Sequence, residues 1–148
     1  MNWDALSSIS NAVTASGLFL VLMQLKLTKN IAQLQFEDGL AKEYRDLAAR
    51  IPTQAFWGEV LTAAEFNESR DEFFRYLDLS NEQIVLRMSG RISKVTWDSW
   101  GEGIAANLQL PAFSRAWAEV REKTNIFSEL RMLESMEFKS DPATWKKK

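Results

Sequence analysis

Few side chains in this sequence could do chemistry, because two of the most reactive kinds are missing. The chain contains no histidine and no cysteine. Without imidazole it lacks the usual general base near neutral pH and the commonest metal ligand. Without thiol it lacks a sulfur nucleophile, a thiolate metal site and any disulfide, which fits a reducing compartment. Hydrolase triads and most zinc or di-iron chemistry are therefore out, and a non-enzymatic role without metal or cofactor is expected.

Aromatic, guanidinium, amide and carboxylate groups remain. Trp97 and Trp100 fall on one helical face, and with Trp117 they could wall an aromatic pocket for a base or small ligand. The same spacing serves equally as a core cluster. Arg87 and Arg91 are nearly one turn apart and could grip a phosphate or carboxylate, but Gly90 is placed to end a helix between them, which favours a solvated pair. Asn81 lies on the inward line between Leu77 and Ile84, where an amide fixes helix register or meets a ligand. Asp71 with Glu72, and Glu119 with Glu122, read as surface charge. The GEG of Gly101 to Gly103 lacks the strand and spacing of a phosphate-cradling loop.

Helices must position all of these groups. No proline lies between Leu25 and Ile51, and the apolar residues Leu27, Ile31 and Leu34, then Phe36, Leu40, Tyr44, Leu47 and Ile51, recur every three or four. This predicts a long amphipathic stalk over 29–51 with a register shift near Phe36, ended by Pro52. Asp38 with Lys42 and Asp46 with Arg50 are spaced as outward i,i+4 pairs. Thr53 is expected to cap a short helix carrying Phe56, Trp57, Val60 and Leu61, and Asn67 a longer one from Glu68 to about Ser89 with Phe73, Leu77, Ile84 and Met88 inward. Gly90 should stop that helix and Ser93 start the next, which carries Val95, Trp97, Trp100 and Ile104. Pro111 opens a helix with Phe113, Trp117 and Val120; a last one holds Ile126, Phe127, Leu130, Leu133 and Met136 until Asp141-Pro142. Sustained period-two alternation is absent, so the expected class is all-α, a small helical bundle.

The N-terminal segment is of another kind. Between Asp4 and Lys26 run 21 uncharged residues, Ala5 to Leu25. At about 1.5 Å per residue a helix of that length reaches about 31 Å, the thickness of a bilayer core. The segment is diluted by hydroxyl and amide residues. Ser7, Ser10, Asn11, Thr14 and Gly17 share one arc of the helix, and such small and polar faces suit helix association within a membrane. Lys26 and Lys29 follow the span while Asp4 precedes it, which places the N-terminus outside and the following domain in the cytosol at the inner membrane. A cleaved signal peptide lacks support, since neither a basic n-region nor an A-x-A site is present; a buried helix of a soluble protein is the other alternative.

The division that follows is an anchor over 1–28, a helical domain over 29–140 and a basic tail over 141–148 ending in Lys146 to Lys148. With 148 residues, 46% hydrophobic and 26% charged, the composition is that of a folded chain. A net charge of -2 from interspersed acids and bases gives no electrostatic case for nucleic acid.

The stretches NWDALSSISNAVTASGLFLVLMQLKLTKN, FFRYLDLSNEQIVLRMSGRIS and WDSWGEGIAANLQLPAFSRAWAEV together resemble a loose group of small uncharacterised bacterial membrane proteins. The resemblance implies one N-terminal span, an amphipathic stalk and a tryptophan-containing helical domain, with no activity attached. The expected partners are a lipid bilayer, a second copy of the chain and an unidentified protein. An oligomeric membrane-perturbing effector, such as a small defence toxin, and a soluble helical protein are the alternatives.

Overall fold

Apolar residues spaced by three or four become α-helices throughout the computed structural model, which describes residues 3–145, with side chains from Leu18 onward. Helix α1 is Trp3–Ala48, α2 Thr53–Phe56, α3 Ala63–Glu68 and α4 Arg70–Met88. Helix α5 is Lys94–Leu108, α6 Pro111–Lys123 and α7 Ser128–Ser135, and a 3-10 turn follows at Pro142–Thr144. Among the described residues there is no strand. The chain divides into two compact units, residues 1–36 and 37–148.

In the first unit, Leu18, Phe19, Leu20, Val21, Leu22 and Met23 are all exposed, between 52% and 63%. Leu25, Leu27, Ile31 and Leu34 are exposed as well. The expected association face, Ser7, Ser10, Asn11, Thr14 and Gly17, lies outside the described side chains, as does the tail from Lys146. No helix of the described residues is long and apolar enough to cross a membrane.

The second unit is built on α4, which packs against α5, α6, α7 and the 3-10 turn. Phe73, Leu77 and Ile84 of α4 are buried with Phe113 and Trp117 of α6 and Leu130 and Leu133 of α7. Leu40 and Leu47 of α1 join the same core. Phe113 is its aromatic centre: the Phe73 ring meets it edge-on at 5.1 Å and the Tyr76 ring at 4.9 Å. Such pairs add about 0.5–1.5 kcal/mol beyond burial.

The start and stop signals acted mostly where expected. Pro52 follows the end of α1 by four residues, Pro111 is the first residue of α6, and Gly90 adopts φ +73 behind α4. Ser93 caps α5 by accepting the Thr96 amide at 3.2 Å. Two caps differ. Thr53 is already helical, so Pro52 occupies the cap of α2; α2 then ends at Phe56, leaving Trp57 and Val60 exposed. Asn67 lies within α3, because Thr62 and Glu65 form a reciprocal capping box that starts a helix earlier than expected. Those Thr62 hydrogen bonds also hold the Glu65 carboxyl below its ordinary value.

The last helix is shorter than its apolar pattern. Phe127 stands just before α7 at φ 59, and after Ser135 the chain turns through two left-handed residues, Glu137 and Phe138. A left-handed phenylalanine costs about 1–2 kcal/mol. Packing offsets it: the Phe127 ring is buried at 5.4 Å from that of Phe74. Ile126 and Met136 are thereby left exposed, as is Val95 on α5. On the outer face of α1 the ion pair formed is Lys42 with Asp46 at 3.8 Å, in place of the Asp38–Lys42 and Asp46–Arg50 pairs.

Candidate functional site

The fold separates the residues that spacing had grouped. Trp97 and Trp117 are core side chains, whereas Trp100 is only half-buried. The indole Nε1 of Trp117 is sealed without a hydrogen-bond partner, and the guanidiniums of Arg121 and Arg131 stand 5.6 and 5.4 Å from its ring centre. A three-tryptophan pocket does not form. Arg87 is engaged on three donors: Nε and Nη2 reach the two Asp141 carboxylate oxygens at 2.8 and 2.6 Å, and Nη1 the Ile92 carbonyl at 2.9 Å. The Asp141 hydrogen bonds raise the Arg87 pKa further, and the same bonds hold the Asp141 carboxyl below its ordinary value. Arg91, beyond Gly90, is exposed, whereas Arg87 is held by Asp141 and the Ile92 carbonyl.

Asn81 takes the register role. Its Oδ1 accepts the Leu130 amide at 3.0 Å and its Nδ2 donates to Glu129 at 3.3 Å, so a side chain of α4 caps the first turn of α7. Glu119 lies among Arg70, Arg115 and Lys123 at 3.6 to 3.7 Å, a partly exposed charge network. Among the described residues no group of three acidic side chains could hold a metal ion.

Two arrangements escaped the pattern reading. Glu37 is a buried carboxylate at the N-terminus of α5, where it accepts the Ser93 amide at 2.6 Å and the Thr96 hydroxyl at 2.5 Å. Negative charge is favoured there, because the first amides of a helix lack intrahelical acceptors. Fifty-six residues separate Glu37 from Ser93, so nothing local announces the contact.

The second is a cleft of about 340 Å³ lined by α1, α4 and α5. Helix α4 presents Tyr76, Ser80 and Gln83 to it; α5 presents Trp100, Gly103 and Asn107; α1 presents Ala41, Tyr44 and Arg45. The size falls within the usual range for small-molecule sites, about 300–1,000 Å³. Tyr76 is its fixed point. Asn107 Nδ2 donates to the phenol oxygen at 3.0 Å, and the Tyr44 ring lies 6.4 Å away at 58°. Burial pushes the Tyr76 hydroxyl up to about 12, so it stays protonated at any physiological pH. Ser80 and Gln83 follow Tyr76 at intervals of four and seven, a polar line on a buried helix face that the sequence does display.

The arrangement can bind; among the described residues it holds no nucleophile paired to a base. No protein-family model, curated protein or solved structure matches this chain.

Proposed function

We propose that the protein is a non-enzymatic, membrane-attached binding protein: the N-terminal part of α1, from Ala5 to Leu25, enters the bilayer, and the helical unit from Glu37 onward engages a partner on the cytosolic side. One observation carries the reading. Leu18 to Met23 are six consecutive large apolar residues, all more than half exposed. At 100° per residue they cover every side of the helix, so no single protein face could bury them, whereas hydrocarbon can. Burying each is worth about 1.5–3 kcal/mol. Lys26 and Lys29 beside the run give the orientation. The second unit has its own core and its own cleft, as a tethered binding module requires.

Fractionation of expressing cells tests the reading. The full chain should sediment with membranes and resist an alkaline carbonate wash, and removal of residues 1–28 should leave a soluble chain that keeps a helical circular dichroism spectrum and a cooperative unfolding transition. Full-length protein in the supernatant would overturn it. Chemical crosslinking within the membrane fraction, compared between the parent and Asn11→Leu, reads whether copies associate through the polar face.

A further inference from the structure

We propose that the cleft between α1, α4 and α5 binds a small planar aromatic molecule that carries one negative charge and an amide-like hydrogen-bonding edge. This site does not depend on membrane attachment, since every residue lining it lies between 41 and 107.

Gln83 is the first argument. It is only 5% exposed, and its side-chain amide makes no hydrogen bond to any described residue. Its amide is nevertheless not sealed, because Trp117 Nε1 is the only side-chain polar atom among the described residues that is both sealed and unpartnered. A side chain nine-tenths buried whose amide has no partner in the protein and still opens to the cleft leaves its donor and acceptor to whatever enters there. The amide presents a donor and an acceptor side by side, and a lactam or carboxamide edge is its complement.

Charge supplies the second argument. Arg45 is the one charged side chain among the described residues lining the cleft, and it forms no ion pair with them. A guanidinium at the rim, with no carboxylate opposite, selects an anion. Tyr44 and Trp100 give the cleft two aromatic lining residues, which suit a flat ring.

Gly103 is the third. It stands inside α5, where glycine costs about 1 kcal/mol relative to alanine. A Cβ added there would meet no atom within 4 Å. The missing side chain leaves the cleft open on the α5 side.

Isothermal titration of the full-length protein in detergent micelles with three probes tests the proposal. Orotate has the ring, the lactam edge and the carboxylate; uracil lacks the charge; benzoate lacks the edge. Orotate should bind with a dissociation constant below about 1 mM, and uracil and benzoate should each bind about tenfold more weakly. Arg45→Ala should erase the advantage of orotate over uracil, and Gln83→Met its advantage over benzoate. Gly103→Leu, which places a better helix former in α5, should retain the circular dichroism spectrum and lose all three. Orotate binding no tighter than either fragment, or unchanged binding in a folded Gly103→Leu chain, would overturn the site. Because Arg45 is exposed and Gln83→Met keeps the length of the side chain, those two variants decide the question if Gly103→Leu fails to fold.

Discussion

Residues 18–36 and residues 37–145 use the same apolar side chains to opposite ends. In the first stretch Leu18, Phe19, Leu20 and Leu22 are all exposed; in the second Phe73, Leu77, Phe113 and Leu130 are all buried. Side-chain type does not distinguish them. Spacing does so for Leu18 to Met23, a consecutive run that surrounds the helix, whereas residues three and four apart mark one side that a partner helix can cover. Leu27, Ile31 and Leu34 have that second spacing and are nevertheless exposed, outside the buried core. On the proposed membrane reading the consecutive run is met by hydrocarbon; the spaced residues of the second unit are met by a protein core.

The sharpest way to break this comparison is to truncate one large residue in each region. Phe113→Ala removes the ring on which Phe73 and Tyr76 pack, and it should destabilise the second unit by about 3–5 kcal/mol in urea unfolding followed by tryptophan fluorescence. Leu20→Ala should leave that transition where it is, within about 0.5 kcal/mol, and, if the proposed membrane attachment holds, reduce the fraction that sediments with membranes. Equal loss of stability in both variants would mean that the exposed run is part of the core after all.

A second consequence lies at high pH. In the unfolded chain a tyrosine hydroxyl ionises at about 10, and in the folded unit burial pushes that of Tyr76 up to about 12. A raised folded value contributes stability fully present below the unfolded one and lost as pH rises through the folded one. Between pH 10 and 12 the second unit should therefore lose roughly 3 kcal/mol that Tyr76→Phe retains, at about 1.4 kcal/mol per unit. A parallel decline in the Tyr76→Phe variant would exclude the buried phenol as its source.

Much of this architecture was legible from residue order, and the exceptions share a cause. Pro111, Gly90 and Ser93 act through their own backbone or the next turn, so sequence alone located them. Thr62 with Glu65 was equally local, and its capping box was readable as a threonine three residues before a glutamate. The alternative start at Asn67 resembled it because asparagine is also a strong cap. Glu37 and the cleft were not legible in this way. Glu37 reads as one more solvated acid on α1 until α5 brings Ser93 to it, and Gln83 reads as a polar helix residue until the fold brings Tyr44 and Trp100 to the same cleft. Phe127 shows the reverse: its place in an apolar pattern suggested helix, and tertiary packing held it left-handed.

Glu37 gives the third prediction, since it stands immediately after the boundary between the two regions. Glu37→Gln keeps the size but replaces one accepting oxygen with an NH₂ group that faces Ser93 and Thr96. A loss of about 2 kcal/mol is expected, with faster amide exchange at the start of α5. Unchanged exchange there would show that the carboxylate is not what fixes that helix end. At the opposite end of the chain Asp141 gives a somewhat smaller effect. Its folded-state pKa is depressed by Arg87, so its contribution is full above about 3.9 and fades as pH falls through the lower folded value. Asp141→Asn should cost about 1.5 kcal/mol at neutral pH and flatten the acid side of the stability profile; an identical acid slope in both chains would assign that slope to other carboxyls.

The smallest effect tests whether α1 is rigid where the exposed and buried regions meet. Gly39 lies two residues into the second unit, inside α1, and a Cβ added there would meet nothing within 4 Å. If the helix is firmly held at that point, Gly39→Ala should stabilise the unit by about 0.5–1 kcal/mol, because alanine has less backbone freedom to lose on folding. Gly90→Ala is the matched control: φ is +73 there, so the same methyl should cost about 1 kcal/mol instead. Opposite shifts in the unfolding midpoint are expected from the two substitutions. No gain at Gly39 would mean that α1 frays beyond the boundary, and that the core's hold on this helix begins at Leu40 or later rather than at Glu37.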